Sequence, residues 1–381
     1  MGAAGVLGLA TAIAVYILIG YPLLLALLPL RTKPLIQKRL GFQPRVTVLL
    51  AVYNGGRYLR QKLESILSLD YPRSQLEILV VSDGSTDETA AITKELSGQG
   101  VELIECEHQG KAGALNAALP HATGEILFFT DVRQPLDNKA LAHLVANFAD
   151  PTVGAVTGEL RLFQAEAGEQ ADMGLYWRYE LWARSKHSRI DSLFNTTGCL
   201  YALRRSLFSP LPSDTLSDDA VLPLGAFFRG YRVIFDPEAL AYDYTNVAGG
   251  EFRRRWRNLA GLWQVHVRIP ALFTSANRMR FHFLSHKFGR LVLPWAIVAI
   301  FISTLMLPDS HTRGFLLTDE ALFLALALAD RWVPKKWPVK RFSSLARTFL
   351  VMNAAALAAT AVFVVPPQSL WRPTRIAERG Q

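Results

Sequence analysis

Five short stretches carry side chains whose types and spacing could do chemistry. Asp83 ends an apolar run, Ile78 to Val81, and precedes Gly84-Ser85. Ser85 with Glu88 three residues on has the pattern of a capping box, which predicts a helix from about Thr86. A carboxylate at a strand end, just ahead of a helix, faces the crevice where open α/β sheets bind ligands. Asp131 repeats this placement after Glu125 to Thr130, in the tetrapeptide Thr130-Asp131-Val132-Arg133. Between these two lie Lys111 and Asn116, and further on Asp218-Asp219 follow Ser217 in a stretch read as a loop, Leu211 to Asp219. Arg254-Arg255-Trp256 opens a later basic and aromatic segment. Each has a plain structural reading alone, such as a turn aspartate or a solvated helix lysine. Their order and shared placement, all where strands or loops meet one crevice, favour a charged ligand site.

The elements that must position them alternate. Val46 to Val52 reads as a buried strand ended by Tyr53-Asn54-Gly55-Gly56, and a helix with Leu63, Ile66 and Leu67 on its apolar side follows. Strand patterns recur at Leu76 to Val81, Val101 to Cys106, Glu125 to Thr130 and Val153 to Phe163. Helical stretches lie between them, at Lys111 to Leu119 among others, and Ala165 to Ile190 reads as a long amphipathic helix. Such β-α-β-α alternation predicts a mostly parallel sheet with helices on both faces.

The chain has 381 residues, half of them hydrophobic, and a formal charge of +9. Its basic residues crowd beside the hydrophobic runs, which favours a membrane surface and a phosphate-bearing substrate over nucleic acid. Ala3 to Leu30 is apolar over a helical length of about 40 Å, enough to cross a bilayer with tilt. Arg31, Lys33, Lys38 and Arg39 after it place the next domain in the cytoplasm. Phe252, Trp256, Leu259, Trp263 and Val267 share one face of a helix suited to a bilayer interface. Arg253, Arg254 and Arg257 read as headgroup contacts, and His266, His282 and His286 as interfacial residues. Further apolar runs follow at about 291–307, 314–330 and 348–365, the middle one weakened by Asp319 and Glu320. The basic segment Arg331 to Arg347 is expected on the cytoplasmic side. Cys106 and Cys199 are too few for a disulfide framework or zinc site and read as reduced, packed thiols.

Together these stretches resemble a family-2 glycosyltransferase of the membrane-embedded kind, similar to cellulose, chitin and hyaluronan synthases and to ceramide glucosyltransferase. The resemblance covers about residues 45 to 270, and its motifs are specific in combination. It implies a GT-A, Rossmann-like catalytic domain flanked by transmembrane helices, a UDP-sugar donor and inversion at the anomeric carbon. Under it, Ala51, Tyr53 and Asp83 hold uracil and ribose, and Lys111 lies near the diphosphate, with Asn116 in the same stretch. Asp131 matches the first acid of a D-x-D motif binding Mg2+ or Mn2+. Asp219 matches the general base of a T-E-D-type motif, and Asp218 takes the neighbouring acid's place. Gly198 and Cys199 border the acceptor pocket. Arg255 and Trp256 match the end of Q-x-x-R-W, supporting the leaving diphosphate and a sugar face. Two positions depart from the pattern: Arg133 replaces the second acid of D-x-D and itself becomes a candidate diphosphate contact, and Phe252 stands where a glutamine is linked to processivity.

The expected organisation is an N-terminal span over 1–30, a catalytic domain over 31–245, amphipathic helices over 246–290, further spans over 291–366 and a tail over 367–381. The expected partners are a UDP-sugar, a lipid or saccharide acceptor, membrane lipids and a second copy or partner subunit, with no nucleic acid. A processive polysaccharide synthase with a translocation channel is the nearest alternative. A sensor that binds nucleotide sugar without catalysis is the more distant one, and an intact Asp219 argues against it.

Overall fold

The computed structural model describes residues 2–27, 34–163, 175–244, 251–334 and 336–365. It divides into two compact units, one of Pro29–Asn246 with Ala276–Met279, the other of Met1–Leu28, Val247–Ser275 and Arg280–Gln381. In the latter, α1 (Ala3–Leu27) is the first of three helices among the described residues that are long and apolar enough to cross a membrane.

The larger unit is a seven-stranded sheet. Its elements run β1 (Val46–Val52), α2 (Gly56–Leu67), β2 (Leu76–Asp83), α3 (Thr89–Glu95), β3 (Val101–Cys106), α4 (Gly110–Ala118), β4 (Ile126–Phe129), α5 (Ala140–Ala146), β5 (Val153–Phe163), α6 (Leu175–Ile190), β6 (Tyr201–Arg204), α7 (Asp218–Phe228) and β7 (Arg232–Tyr244). The sheet order is β3-β2-β1-β4-β6-β5-β7. β1 pairs in parallel with both β2 and β4, so the chain winds outward in one direction and then returns to the other side of β1. That reversal opens a crevice at the carboxyl ends of β1 and β4. Both faces are buried, with Val48, Leu50, Val80 and Phe128 on one and Leu49, Leu79 and Phe129 on the other, as a helix-covered parallel sheet requires.

The sheet is mostly parallel, as the alternation predicts, and three details go beyond or depart from the sequence expectation. The sheet is parallel except for β6, which runs antiparallel to both β4 and β5. At four residues, β6 is too short for period-two alternation to reveal. β7 continues through Asp236-Pro237, and its pairing with β5 slips register between Thr157 and Glu159. The capping-box helix starts at Thr89 instead of Thr86. Ser85 Oγ accepts from Asn54 N–H and donates to the Val52 carbonyl, so it ties the β1 and β2 ends together. Asp87 takes over the helix start and accepts from Thr89 N–H and Oγ1–H. Gly84 has φ +66°, and an added Cβ would lie 2.9 Å from the His108 nitrogen, so only glycine fits the close approach after Asp83. The predicted Ala165–Ile190 helix is described from Leu175, and its earlier part lies outside the described residues.

In the second unit, α8 (Glu251–Arg268) carries the aromatic stripe, with Leu259 buried but Phe252 and Val267 exposed. α9 (Arg280–Leu305) and α11 (Val339–Phe363) are the other two helices of spanning length and apolarity. Both begin about ten residues before the predicted runs. The middle run folds as α10 (His311–Ala329) but does not reach spanning character, and it carries Arg313, Asp319 and Glu320. Glu320 accepts a hydrogen bond from Thr304 Oγ1 of α9 at 2.9 Å. His282 faces α1, where Tyr21 Oη lies 3.1 Å from its Nδ1. Arg31, Lys33, the side chains of Arg253 and Arg254, and the tail 367–381 lie outside the described residues.

Candidate active site

Four loops converge at the carboxyl ends of the strands in the larger unit. Asp131 follows β4 by two residues, and its Oδ1 accepts from Lys111 Nζ at 2.9 Å. The same ammonium lies 3.2 Å from Asp218 Oδ1. Lys111 reaches both because Gly110 (φ +80°) opens α4 directly beneath the β2 end. Burial lowers the Lys111 ammonium, but Asp131 and Asp218 more than offset this and hold it well above the ordinary lysine value.

Asp218 and Asp219 are the first two residues of α7 behind Ser217, where sequence reading placed a loop. The helix start was masked by Pro223 inside it and by the absence of an apolar period before it. The Asp218 carboxylate is buried and accepts at Oδ2 from Tyr201 Oη at 2.8 Å. Tyr201 arrives through the antiparallel register that sets it opposite Phe129, with ring centroids 4.5 Å apart. Asp219 is fixed through its backbone, whose carbonyl accepts from both the amide and hydroxyl of Thr196 at 2.8 Å. A Cβ on Gly198 would lie 3.5 Å from Asp219 Oδ2, so the Thr196–Cys199 turn borders that carboxylate. A helix N-terminus favours a charged carboxylate. At Asp219, burial first and then the charge of Asp218 prevail and push its pKa up to about 7.

The other predicted residues divide. Asp83 is buried; its two oxygens accept from the Gln109 and Gly110 amides at 2.7 and 2.9 Å, and His108 Nδ1 lies 2.9 Å away. It therefore orders the start of α4 as well as ending β2. Tyr53 stacks on His108 with centroids 4.1 Å apart, beside Ala51 at the end of β1. Asn116 exchanges both amide hydrogen bonds with the backbone of Leu211, at 2.8 Å each, and so anchors the loop before α7. Arg133 turns away from Asp131 to ion-pair with buried Asp243. Cys199 is a buried core residue rather than a pocket wall; burial pushes its thiol up to about 12. Arg255 and Trp256 lie on α8 in the other unit, where the Trp256 indole N–H donates to the Ala358 carbonyl at 2.8 Å. That bond gives Trp256 a packing partner within its own unit.

Sequence reasoning missed three residues. Tyr201 lay in an unrecognised strand. Arg184 of α6 donates to Thr197 Oγ1 at 2.7 Å, beside the Asp219 turn, yet reads as one more base on an amphipathic helix. Lys62 of α2 is 1% exposed and donates to Thr130 Oγ1 and the Gln134 carbonyl. Its place one residue before Leu63, on the apolar side of α2, was the available signal.

A sheet wound this way, with carboxylates and a lysine gathered at its topological switch point, is the GT-A glycosyltransferase architecture. Residues 47–211 match Glycosyl transferase family 2. The chain is similar to a probable glycosyltransferase, YdaM, of Bacillus subtilis, 26% identical over 63% of this chain and 60% of the relative. It is also similar to the poly-beta-1,6-N-acetyl-D-glucosamine synthase of Staphylococcus aureus, 25% identical over 67% of this chain and 63% of the relative. The match thus spans about three-fifths of those curated relatives. Among solved structures, the mannosyltransferase PcManGT of Pyrobaculum calidifontis, in complex with GDP-Man and Mn2+, superposes with a TM-score of 0.73 at 27% identity. That alignment covers 93% of this chain and 98% of the neighbour.

Proposed function

We propose that the protein is an inverting, membrane-bound glycosyltransferase that moves a sugar from a nucleoside-diphosphate donor to a membrane-proximal acceptor. The observation that carries this reading is the gathering of Asp131, Lys111, Asp218 and Asp219 at the strand ends, where burial and Asp218 push the Asp219 carboxyl upward. A base with a pKa near the working pH removes a hydroxyl proton effectively. Asp219 takes the acceptor hydroxyl proton, the acceptor oxygen bonds to the anomeric carbon, and the bond from that carbon to the diphosphate oxygen breaks. Negative charge gathers on the leaving diphosphate, where Lys111 offsets it. Asp218 holds Lys111 in place and keeps Asp219 basic. Ala51, Tyr53 and Asp83 form the nucleoside end.

Asp131 is a hard, part-exposed oxygen donor, but Arg133 is committed to Asp243, and among the described residues no three or more His, Cys, Asp or Glu are arranged to hold a metal ion by themselves. One carboxylate together with donor phosphates suits Mg2+ or Mn2+, which commonly keep water and phosphate ligands. Such a cation, as in the PcManGT complex, would supply charge neutralisation at the diphosphate. The uracil donor follows from the sequence resemblance, while the GDP-Man bound to PcManGT supports a guanine donor as the second arm.

The acceptor is read as lipid-linked or lipid-proximal, because Phe252 replaces the glutamine linked to processivity and few helices are available for a channel. The likeness to a polysaccharide synthase supports polymer extension, with a second copy or partner subunit, as the alternative. The catalytic domain is assigned to the cytoplasmic side by the basic residues after α1. Asp219→Asn tests the reading. The variant is expected to bind donor with unchanged affinity while transfer falls by about 10²–10⁴-fold. Turnover like the wild type would overturn it.

A further inference from the structure

We propose that Lys62 is a positioning residue for Asp131, holding the loop that presents this carboxylate to the donor. The proposal rests on the assignment of Asp131 to the donor side. Lys62 lies on the apolar side of α2 with Leu59, Leu63 and Ile66, and it is as inaccessible as they are. A long amine in such a place forgoes hydration, a large cost unless it gains specific bonds. It finds no carboxylate partner among the described residues. Its two acceptors are Thr130 Oγ1, at 2.6 Å, and the Gln134 carbonyl. They bracket Asp131-Val132-Arg133, so one amine holds both ends of the turn.

Three further contacts complete the support. Ser65, one turn along the same helix, accepts from Leu136 N–H at 3.2 Å. Arg133 and Gln134 both donate to Asp243, which closes the far flank of the turn. Thr130 Oγ1 passes its own proton to the Cys199 carbonyl at 2.8 Å, next to the Gly198 that borders Asp219. Lys62 thus sits at the root of a hydrogen-bonded line that runs from the turn holding Asp131 to Cys199, whose neighbour Gly198 borders Asp219. Asp131 remains the accessible tip, with its side chain 40% exposed. A residue retained only for packing would be better served by leucine or methionine, which fill the volume without a desolvated amine.

Lys62→Met in the full-length protein keeps the stem and removes both bonds. The melting temperature is expected to hold or rise, because a buried amine is lost. Affinity for UDP or GDP, by calorimetry, and for the matching sugar donor, from KM, should weaken by about tenfold or more, with acceptor KM unchanged. A packing role predicts the opposite split, with lower stability and unaltered donor affinity, and that result would overturn the proposal. If Lys62→Met does not fold, Thr130→Val removes one acceptor at nearly constant shape. A smaller loss of donor affinity supports the proposal, and wild-type affinity refutes it. Asp131→Asn serves as the reference. Weak donor binding there beside normal binding in Lys62→Met fails this inference alone. Normal binding in both fails the assignment of Asp131 as well.

Discussion

Asp219 is pulled two ways, and the balance decides what it can do. The first turn of α7 favours its charge, whereas burial and the neighbouring Asp218 disfavour it, and the latter prevail. For a carboxyl raised above its unfolded value, the native state binds the extra proton between the ordinary carboxylate range and about pH 7. Stability therefore falls as pH rises through that window, and the penalty is complete above it. Asp219→Asn should raise the melting temperature at pH 8 and leave it nearly unchanged at pH 4, a gain on the order of a few kcal/mol at most. An equal effect at both pH values would show that the carboxyl is not raised. The acid limb of kcat/KM should climb through about pH 7, and a flat profile from pH 5 upward would contradict a base with this pKa. Asp83 was legible as the end of a strand, but its hydrogen-bond partners were not. Its bonds to the Gln109 and Gly110 amides come from residues 26 and 27 positions later, a distance over which local pattern says nothing. Asp83→Ala should thus weaken nucleotide binding through loss of a contact and of the ordered start of α4.

At the scale of elements, periodicity recovered what is long or fully apolar. β1 to β5 and α4 appear within a few residues of their expected bounds, because buried parallel strands read as unbroken hydrophobic runs. β6 and the start of α7 did not, although they bring Tyr201, Asp218 and Asp219 into the site. Their pairing is set by tertiary register, Phe129 opposite Tyr201, and not by local sequence. The same limit applies to Asn116. It reads as a ligand-facing residue in a conspicuous motif, yet both polar atoms of its amide are spent on Leu211. Asn116→Ala should cost about 1–3 kcal/mol by leaving a buried peptide unsatisfied, read as a lower melting temperature. Donor affinity should be nearly preserved. A large loss of nucleotide binding without loss of stability would return Asn116 to the donor site.

At the scale of the whole molecule, three helices have the length and apolarity to cross a bilayer, and the run with Asp319 and Glu320 falls short. Hydropathy found all of these segments, but it set the later two starts inside the helices, since Arg280 and Lys340 begin them with charge. If α1, α9 and α11 do span, the protein will stay in the membrane fraction through alkaline carbonate extraction, and release there would contradict that reading. The match to Glycosyl transferase family 2 over residues 47–211 supports the catalytic class, while the donor and acceptor rest on the proposal. The most direct test is nucleoside-diphosphate release by the detergent-purified, full-length protein across UDP- and GDP-sugars, with and without extracted membrane lipid. The account predicts release with one donor, dependent on lipid and abolished in Asp219→Asn. Equal release from wild type and Asp219→Asn, or none with any donor despite measurable nucleotide binding, would contradict it.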